Sequence, residues 1–261
     1  MKSYLTSNDG CRLYYDYKHT PLKPTLVFAN SLGTNTAMWQ QQIAYFEQFY
    51  SVLSYDMRGH GKSSVMAGTY SIDRLGCDLI SLLDHLKLDS VFFCGLSIGG
   101  MIGQWLSVVH PKRVNKLILA NTSAHAGPPE LWDERLEQIA NNGLQSTWPM
   151  VRERWVSNSF ADKSPKAVNL LKTMFEGMDQ HGYNATCAAV RDMDMRNIAK
   201  LNTLPTLIIA GKNDIASPLS KSEYLLSQYS DAQLVVLDAG HLSNIEQPEL
   251  FNDAIVNFLR G

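Results

Sequence analysis

The chain has 261 residues, 45% of them apolar, and 23 Lys and Arg against 25 Asp and Glu give a formal charge of −2. Only 18% of positions are charged, below the usual value of about 25%, so a disordered chain is excluded and one large domain, or a core with an insertion, is expected. Neither a run near 18 apolar residues nor a basic-then-apolar start is present, and there is no basic tract. A cytoplasmic protein with a small-molecule partner is therefore expected, one that binds neither nucleic acid nor a membrane surface.

The predicted elements begin with two segments of strand composition, Arg12 to Tyr17 and Thr25 to Ala29, bounded by Asn8-Asp9-Gly10, Pro21 and Pro24. After the loop Asn30-Ser31-Leu32-Gly33-Thr34, the residues Ala37, Met38, Gln41, Ile43, Ala44 and Phe46 form a rough helical face. Tyr50 to Tyr55 returns to strand composition. Ile72, Leu75, Leu79, Leu82, Leu83 and Leu86 recur at helical spacing, with Ser71 placed to cap them and an end near Asp89. Val91 to Cys94 is a wholly apolar run, Ser97 to Val109 has helical spacing, and Val114 to Ala120 is apolar again. Thr206 to Ala210 and Leu234 to Leu237 repeat the pattern. Strand, helix, strand, helix signifies an α/β architecture with a mostly parallel sheet buried on both faces.

From about His125 to Lys200 the alternation stops. That stretch has no β-rich run and is rich in Trp, Met and helix formers, among them Trp132, Trp148, Trp155, Met174 and Met193. It reads as several helices inserted between two strands, covering the sheet edge where open α/β folds bind ligands.

Four cysteines, Cys11, Cys77, Cys94 and Cys187, lack C-x-x-C spacing and read as reduced packing residues. The seven histidines show no ligand spacing, so no metal site is expected.

Gly95-Leu96-Ser97-Ile98-Gly99 falls between an apolar strand and a helix. At such a turn the serine is forced into a strained conformation that lifts its hydroxyl out of the sheet, and the flanking glycines avoid a collision with neighbouring backbone. The bland alternative is a glycine-rich turn without chemistry. A serine nucleophile needs a base and an orienting carboxylate. Asp214 lies in the loop after Thr206 to Ala210, and His241 in the loop after Leu234 to Leu237. Ser, Asp, His is the chain order expected of a nucleophile at this kind of turn. Asp238 is the rival acid, disfavoured by lying three residues before His241. The oxyanion donors would be the backbone N–H of Ile98 and that of Leu32; the alternative for the second is an ordinary Asn-Ser-Gly turn.

With these residues in place the chain resembles the α/β-hydrolase superfamily. Asp56-Met57-Arg58-Gly59-His60-Gly61-Lys62-Ser63 and the stretch from Gly240-His241 to Glu246-Gln247-Pro248 match its common pattern. Within it, Asn30-Ser31-Leu32-Gly33-Thr34, the stretch from Gly95 to Gln104, Ala120-Asn121-Thr122-Ser123 and the insertion string from Tyr183 to Asp194 resemble the 3-oxoadipate enol-lactonases of aromatic catabolism. The departure is Asn30-Ser31, where a His-Gly pair is more usual. The resemblance implies an eight-stranded, mostly parallel sheet flanked by helices. It also implies a core of residues 1–124 and 201–261, and a helical cap, 125–200, inserted after the sixth strand. It implies cofactor-free opening of an anionic enol-lactone by water, and supports Asp214, since the position where some relatives keep their acid holds Asn121. The substrate carboxylate needs a cation. Trp132 and Arg135, at i and i+3, would put an aromatic wall and a guanidinium on one helix face. Arg152, Arg154, Arg191 and Arg196 are alternatives, and Trp132 as packing with Arg135 as a solvated charge is the bland one. Two other functions stay open: hydrolysis or perhydrolysis of a different small ester or thioester, and a receptor that keeps the fold without turnover.

Overall fold

A computed structural model describes residues 2–261. In chain order the elements are β1 (Lys2–Thr6), β2 (Arg12–Lys18), β3 (Thr25–Ala29), α1 (Gln40–Phe46), β4 (Ser51–Tyr55), α2 (Ile72–His85), β5 (Val91–Leu96), α3 (Ile98–Val109) and β6 (Val114–Ala120). Five helices follow, α4 (Pro129–Asn142), α5 (Trp148–Trp155), α6 (Asn158–Lys163), α7 (Pro165–Glu176) and α8 (Gln180–Arg191). The chain then runs through β7 (Thr206–Gly211), α9 (Leu219–Gln228), β8 (Ala232–Leu237), α10 (Ser243–Glu246) and α11 (Pro248–Arg260).

The eight strands form one sheet in the order β1-β2-β4-β3-β5-β6-β7-β8, antiparallel at β1/β2 and β2/β4 and parallel elsewhere. The parallel centre explains the uninterrupted apolar runs. Every residue of β3, β4 and β7 is buried, because helices cover both faces and leave no side for polar residues. From β3 the chain first steps outward to β4 and then returns to place β5 on the other side of β3. Loops after β3 and β5 therefore part in opposite directions, opening the crevice typical of a topological switch point. The Asn30 to Thr34 loop and Ser97 emerge there.

Three local expectations are corrected. The strand β1 has no apolar run to betray it: as an edge strand paired on one side only, Lys2-Ser3-Tyr4-Leu5-Thr6 alternates between exposed and half-buried positions. The α2 helix stops at His85 rather than near Asp89. Ser71 does cap its start, accepting from the Arg74 N–H at 3.2 Å, but at the far end Lys87 turns left-handed (φ 55°) and the Leu88 N–H returns to the Leu83 carbonyl, a closure that satisfies terminal carbonyls. Cys11, Cys94 and Cys187 are buried, whereas Cys77, on α2, is exposed rather than a packing residue of the core.

Helix α8 lies directly on the core. The Tyr70 N–H donates to the Ala185 carbonyl, and a Cβ on Gly182 would come within 2.4 Å of the Gly59 carbonyl oxygen, an approach that only glycine allows. Among the described residues no helix is long and apolar enough to cross a membrane.

Candidate active site

The turn from β5 into α3 holds Ser97 at φ 58°, ψ −118°, a conformation costing an L-residue on the order of 1–3 kcal/mol. Packing enforces it. The Ser97 N–H donates to the Ala120 carbonyl at 2.9 Å, and Thr122 donates its hydroxyl to the Ser97 carbonyl at 2.7 Å. A Cβ at Gly95 would stand 2.2 Å from the Gly99 carbonyl oxygen, and one at Gly99 2.3 Å from that of Ala29, so both flanking glycines are sterically required.

His241 and Asp214 occupy the loops after β8 and β7. His241 Nδ1 lies 2.8 Å from Asp214 Oδ2. Because a carboxylate accepts, Nδ1 donates this bond, and in the neutral ring Nε2 is the accepting nitrogen. The other carboxylate oxygen, Oδ1, accepts the N–H groups of Ala216 and Ser217, both at 2.8 Å. Asn121, at φ 46°, donates its amide to Asp214 Oδ2 at 3.0 Å and to the Gly240 carbonyl at 3.2 Å. Ser243 in turn donates to Asn121 Oδ1 at 2.5 Å. Asn121 thus seats the Asp214 carboxylate. The rival Asp238 is exposed and accepts from Asn213 at 2.9 Å, away from the imidazole.

The loop after β3 turns its N–H groups in different directions. The Ser31 N–H is directed at the Met38 sulfur (3.3 Å) and the Gly33 N–H at His60 Nε2 (3.1 Å); between them the Leu32 N–H has no partner among the described residues. The Ile98 N–H, the first of α3, is likewise unpaired, although the Ile98 side chain is buried away from the cavity. Gly99 links the two donors' segments through its N–H to the Asn30 carbonyl at 3.1 Å.

In the sequence His60 stands between two glycines of the stretch Asp56 to Ser63 that matches the superfamily's pattern, with no partner indicated. It is buried, with Nδ1 3.2 Å from the Arg58 carbonyl and Nε2 accepting from Gly33. Burial lowers its pKa to about 4, and the neutral form is the one that can accept.

Ser97, His241, Leu32, Trp132 and Arg135 line one cavity of about 100 Å³. The Arg135 guanidinium stacks 4.8 Å over the Trp132 ring, and its Nη1 lies 3.4 Å from the Tyr183 hydroxyl. Arg154, which sequence reasoning left unranked, faces the same cavity. Burial and the neighbouring Arg135 lower its pKa, while Tyr183 raises it. Neither Arg135 nor Arg154 has a carboxylate partner among the described residues. The remaining candidates do: Arg152 meets Glu153, Arg191 meets Asp133 and Asp192, and Arg196 meets Asp194.

Residues 24–174 match the family described as alpha/beta hydrolase fold. The chain is 40% identical to 3-oxoadipate enol-lactonase 2 of Acinetobacter baylyi across 98% of its own length and 95% of that protein, and 34% identical to 3-oxoadipate enol-lactonase 1 of the same organism across 98% and 96%. A hydrolase from Pseudomonas aeruginosa superposes with a TM-score of 0.96 at 38% identity, covering 100% of this chain and 98% of that one. The enol-lactonase from Burkholderia xenovorans also gives 0.96, at 34% identity, covering 99% and 100%. The chain belongs to the alpha/beta hydrolase fold family and is an ester hydrolase, similar over its whole length to enol-lactonases.

Proposed function

We propose that the protein opens the ring of 3-oxoadipate enol-lactone with water to give 3-oxoadipate, by a serine mechanism, within aromatic catabolism. The observation that carries the reading is the 2.8 Å contact between His241 Nδ1 and Asp214 Oδ2, beside Ser97 and two unpaired guanidiniums in one cavity. Ser97 Oγ attacks the lactone carbonyl while His241 Nε2 takes the hydroxyl proton. The N–H groups of Leu32 and Ile98 receive the oxyanion, and Asp214 holds and stabilises the imidazolium. As the oxyanion collapses, the ring C–O bond breaks and the enolate leaves with a proton supplied by His241, becoming a ketone by tautomerisation. Water, activated by the same histidine, then attacks the acyl ester and frees Ser97.

Residues 125–200 act as the cap that selects the substrate. Trp132 and Arg135 bind the substrate, the indole as an aromatic wall and the guanidinium on the carboxylate, joined by Arg154; a guanidinium stacked on an indole is held in place before the ligand arrives.

Loss of the enol-lactone ultraviolet absorbance tests this directly. Wild-type protein at micromolar concentration is expected to open the ring, and Ser97→Ala to be slower by several orders of magnitude. No ring opening by the wild type, beside rapid cleavage of a simple neutral ester, would transfer the assignment to another ester; turnover unaffected by Ser97→Ala would exclude the serine mechanism.

A further inference from the structure

His241 stands between two backbone N–H groups, and both lead to the segment after β6. The Leu242 N–H donates to the carbonyl of Trp155, the last residue of α5, at 2.8 Å. The Gly240 N–H donates to Glu246 Oε1 at 2.9 Å, and this same oxygen accepts the N–H of Ser157 at 2.7 Å. Glu246 Oε2 accepts the Ser157 hydroxyl, also at 2.7 Å. Three donors thus converge on one half-buried carboxylate, which has no Lys or Arg within 4 Å among the described residues. The junction has no slack: a Cβ at position 240 would stand 2.7 Å from Glu246 Oε1 and 2.9 Å from the Ser157 nitrogen.

Ser157 lies two residues past the end of α5, and α5 supplies Val151, Arg154 and Trp155 to the cavity wall. We infer that Glu246 is a positioning residue that ties the seat of His241 to this wall, so that the base is correctly placed only when α5 is docked. The inference rests on His241 being the base. Its physical ground is that three charge-assisted bonds to one carboxylate fix the relative position of two chain segments 83 residues apart in sequence, Ser157 and Gly240. A misplacement of about 1 Å at a catalytic group costs up to roughly 100-fold in rate.

The test compares Glu246→Ala, Glu246→Gln and Ser157→Ala with the wild type on the enol-lactone and in the rate of Ser97 modification by an organophosphate. Protein is normalised to the fraction that reacts to completion. Glu246→Ala is expected to lower kcat by about 10- to 100-fold with KM within about threefold, and to slow Ser97 modification by a similar factor. Glu246→Gln is expected to restore most of the rate, since its carbonyl can accept both N–H groups and its amide can donate to the Ser157 hydroxyl. Ser157→Ala, which removes the hydroxyl's bond to Glu246 and its cap on the Phe160 N–H at the start of α6 but leaves the Ser157 N–H on Glu246, gives a second reading if Glu246→Ala does not accumulate and is expected to lower kcat by about three- to tenfold. Variants that turn over and are modified at the wild-type rate, or that change KM alone, overturn the positioning role. A wild type inert to the organophosphate overturns the serine reading as well, so the two failures are distinguishable.

Discussion

Acidification should cost this protein stability through a single histidine, His60, in the loop after β4, which holds the loop after β3. His60 is fully buried, and its Nε2 can accept the Gly33 N–H only while the ring is neutral. Its pKa falls from the ordinary 6.5 to about 4 because burial penalises the charged form. In the unfolded chain the imidazole takes up a proton near pH 6.5, while the folded chain resists protonation down to about 4. The stabilising contribution of neutral His60 is therefore complete above about pH 6.5 and is lost as the pH falls toward 4. Over that window of roughly 2.5 units, at about 1.4 kcal/mol per unit, the loss is about 3 kcal/mol. The control is His60→Gln, whose amide can accept from Gly33 and donate to the Arg58 carbonyl without titrating. Urea unfolding of both proteins at half-unit steps from pH 7.5 to 4 isolates the term. Buried Asp56, whose pKa burial raises, and Asp9, held low by Ser7 and Arg58 against its own desolvation, contribute to both curves and cancel in the difference. The wild-type curve is expected to drop toward, or below, that of the variant as the pH falls. Parallel curves between pH 6.5 and 4 would show that His60 does not fold in the neutral form, and would remove it as the acceptor that holds Gly33.

Two further outcomes follow from the acid and the cations. Asp214→Asn should lower kcat by roughly 10³- to 10⁴-fold, because its amide turns a donor toward His241 Nδ1 and favours the wrong tautomer, whereas Asp238→Asn, on an exposed residue bonded to Asn213, should stay within about twofold; steady-state kinetics of both variants on the enol-lactone decides it. Arg135→Met and Arg154→Met should each lower kcat/KM for the anionic lactone by about 10- to 100-fold, the worth of one charge-assisted hydrogen bond, and leave kcat/KM for a neutral ester of similar size within about threefold. Equal losses on both substrates would point to collapse of the cavity wall rather than to charge recognition.

The candidate site was legible because it rests on local constraints. Ser97 announced itself through glycines at 95 and 99 whose Cβ atoms would strike backbone, and Asp214 and His241 through their places after apolar runs. The layered sheet was legible for the same reason, since strands buried on both faces must be apolar throughout. What escaped depends on contacts distant in sequence. The edge strand β1 is recognisable only by its pairing with β2. His60 read as one more member of a glycine turn, since nothing nearby signals that it meets Gly33, 27 residues earlier. Glu246 matched a recurrent pattern, yet its contact with Ser157 spans 89 positions.

The arginines illustrate the same division in electrostatic terms. Five were candidates for the substrate carboxylate, and composition offered no basis for choice in a chain of charge −2. The fold separates them by supplying acids. Arg191 reaches Asp133 at 2.8 Å, Arg196 reaches Asp194 at 2.6 Å, and Arg152 binds Asn158 beside Glu153, so each already has a partner or faces water. Arg135 and Arg154 alone among the five face the cavity, where Arg135 meets an indole and a phenol and Arg154 feels Arg135 and that same phenol. Two like charges facing one partly desolvated space repel, and an anion between them relieves that repulsion while gaining charge-assisted hydrogen bonds. Selectivity for an anionic ligand therefore needs no net positive charge on the protein; it requires that these two guanidiniums, and not the others, be left without a carboxylate.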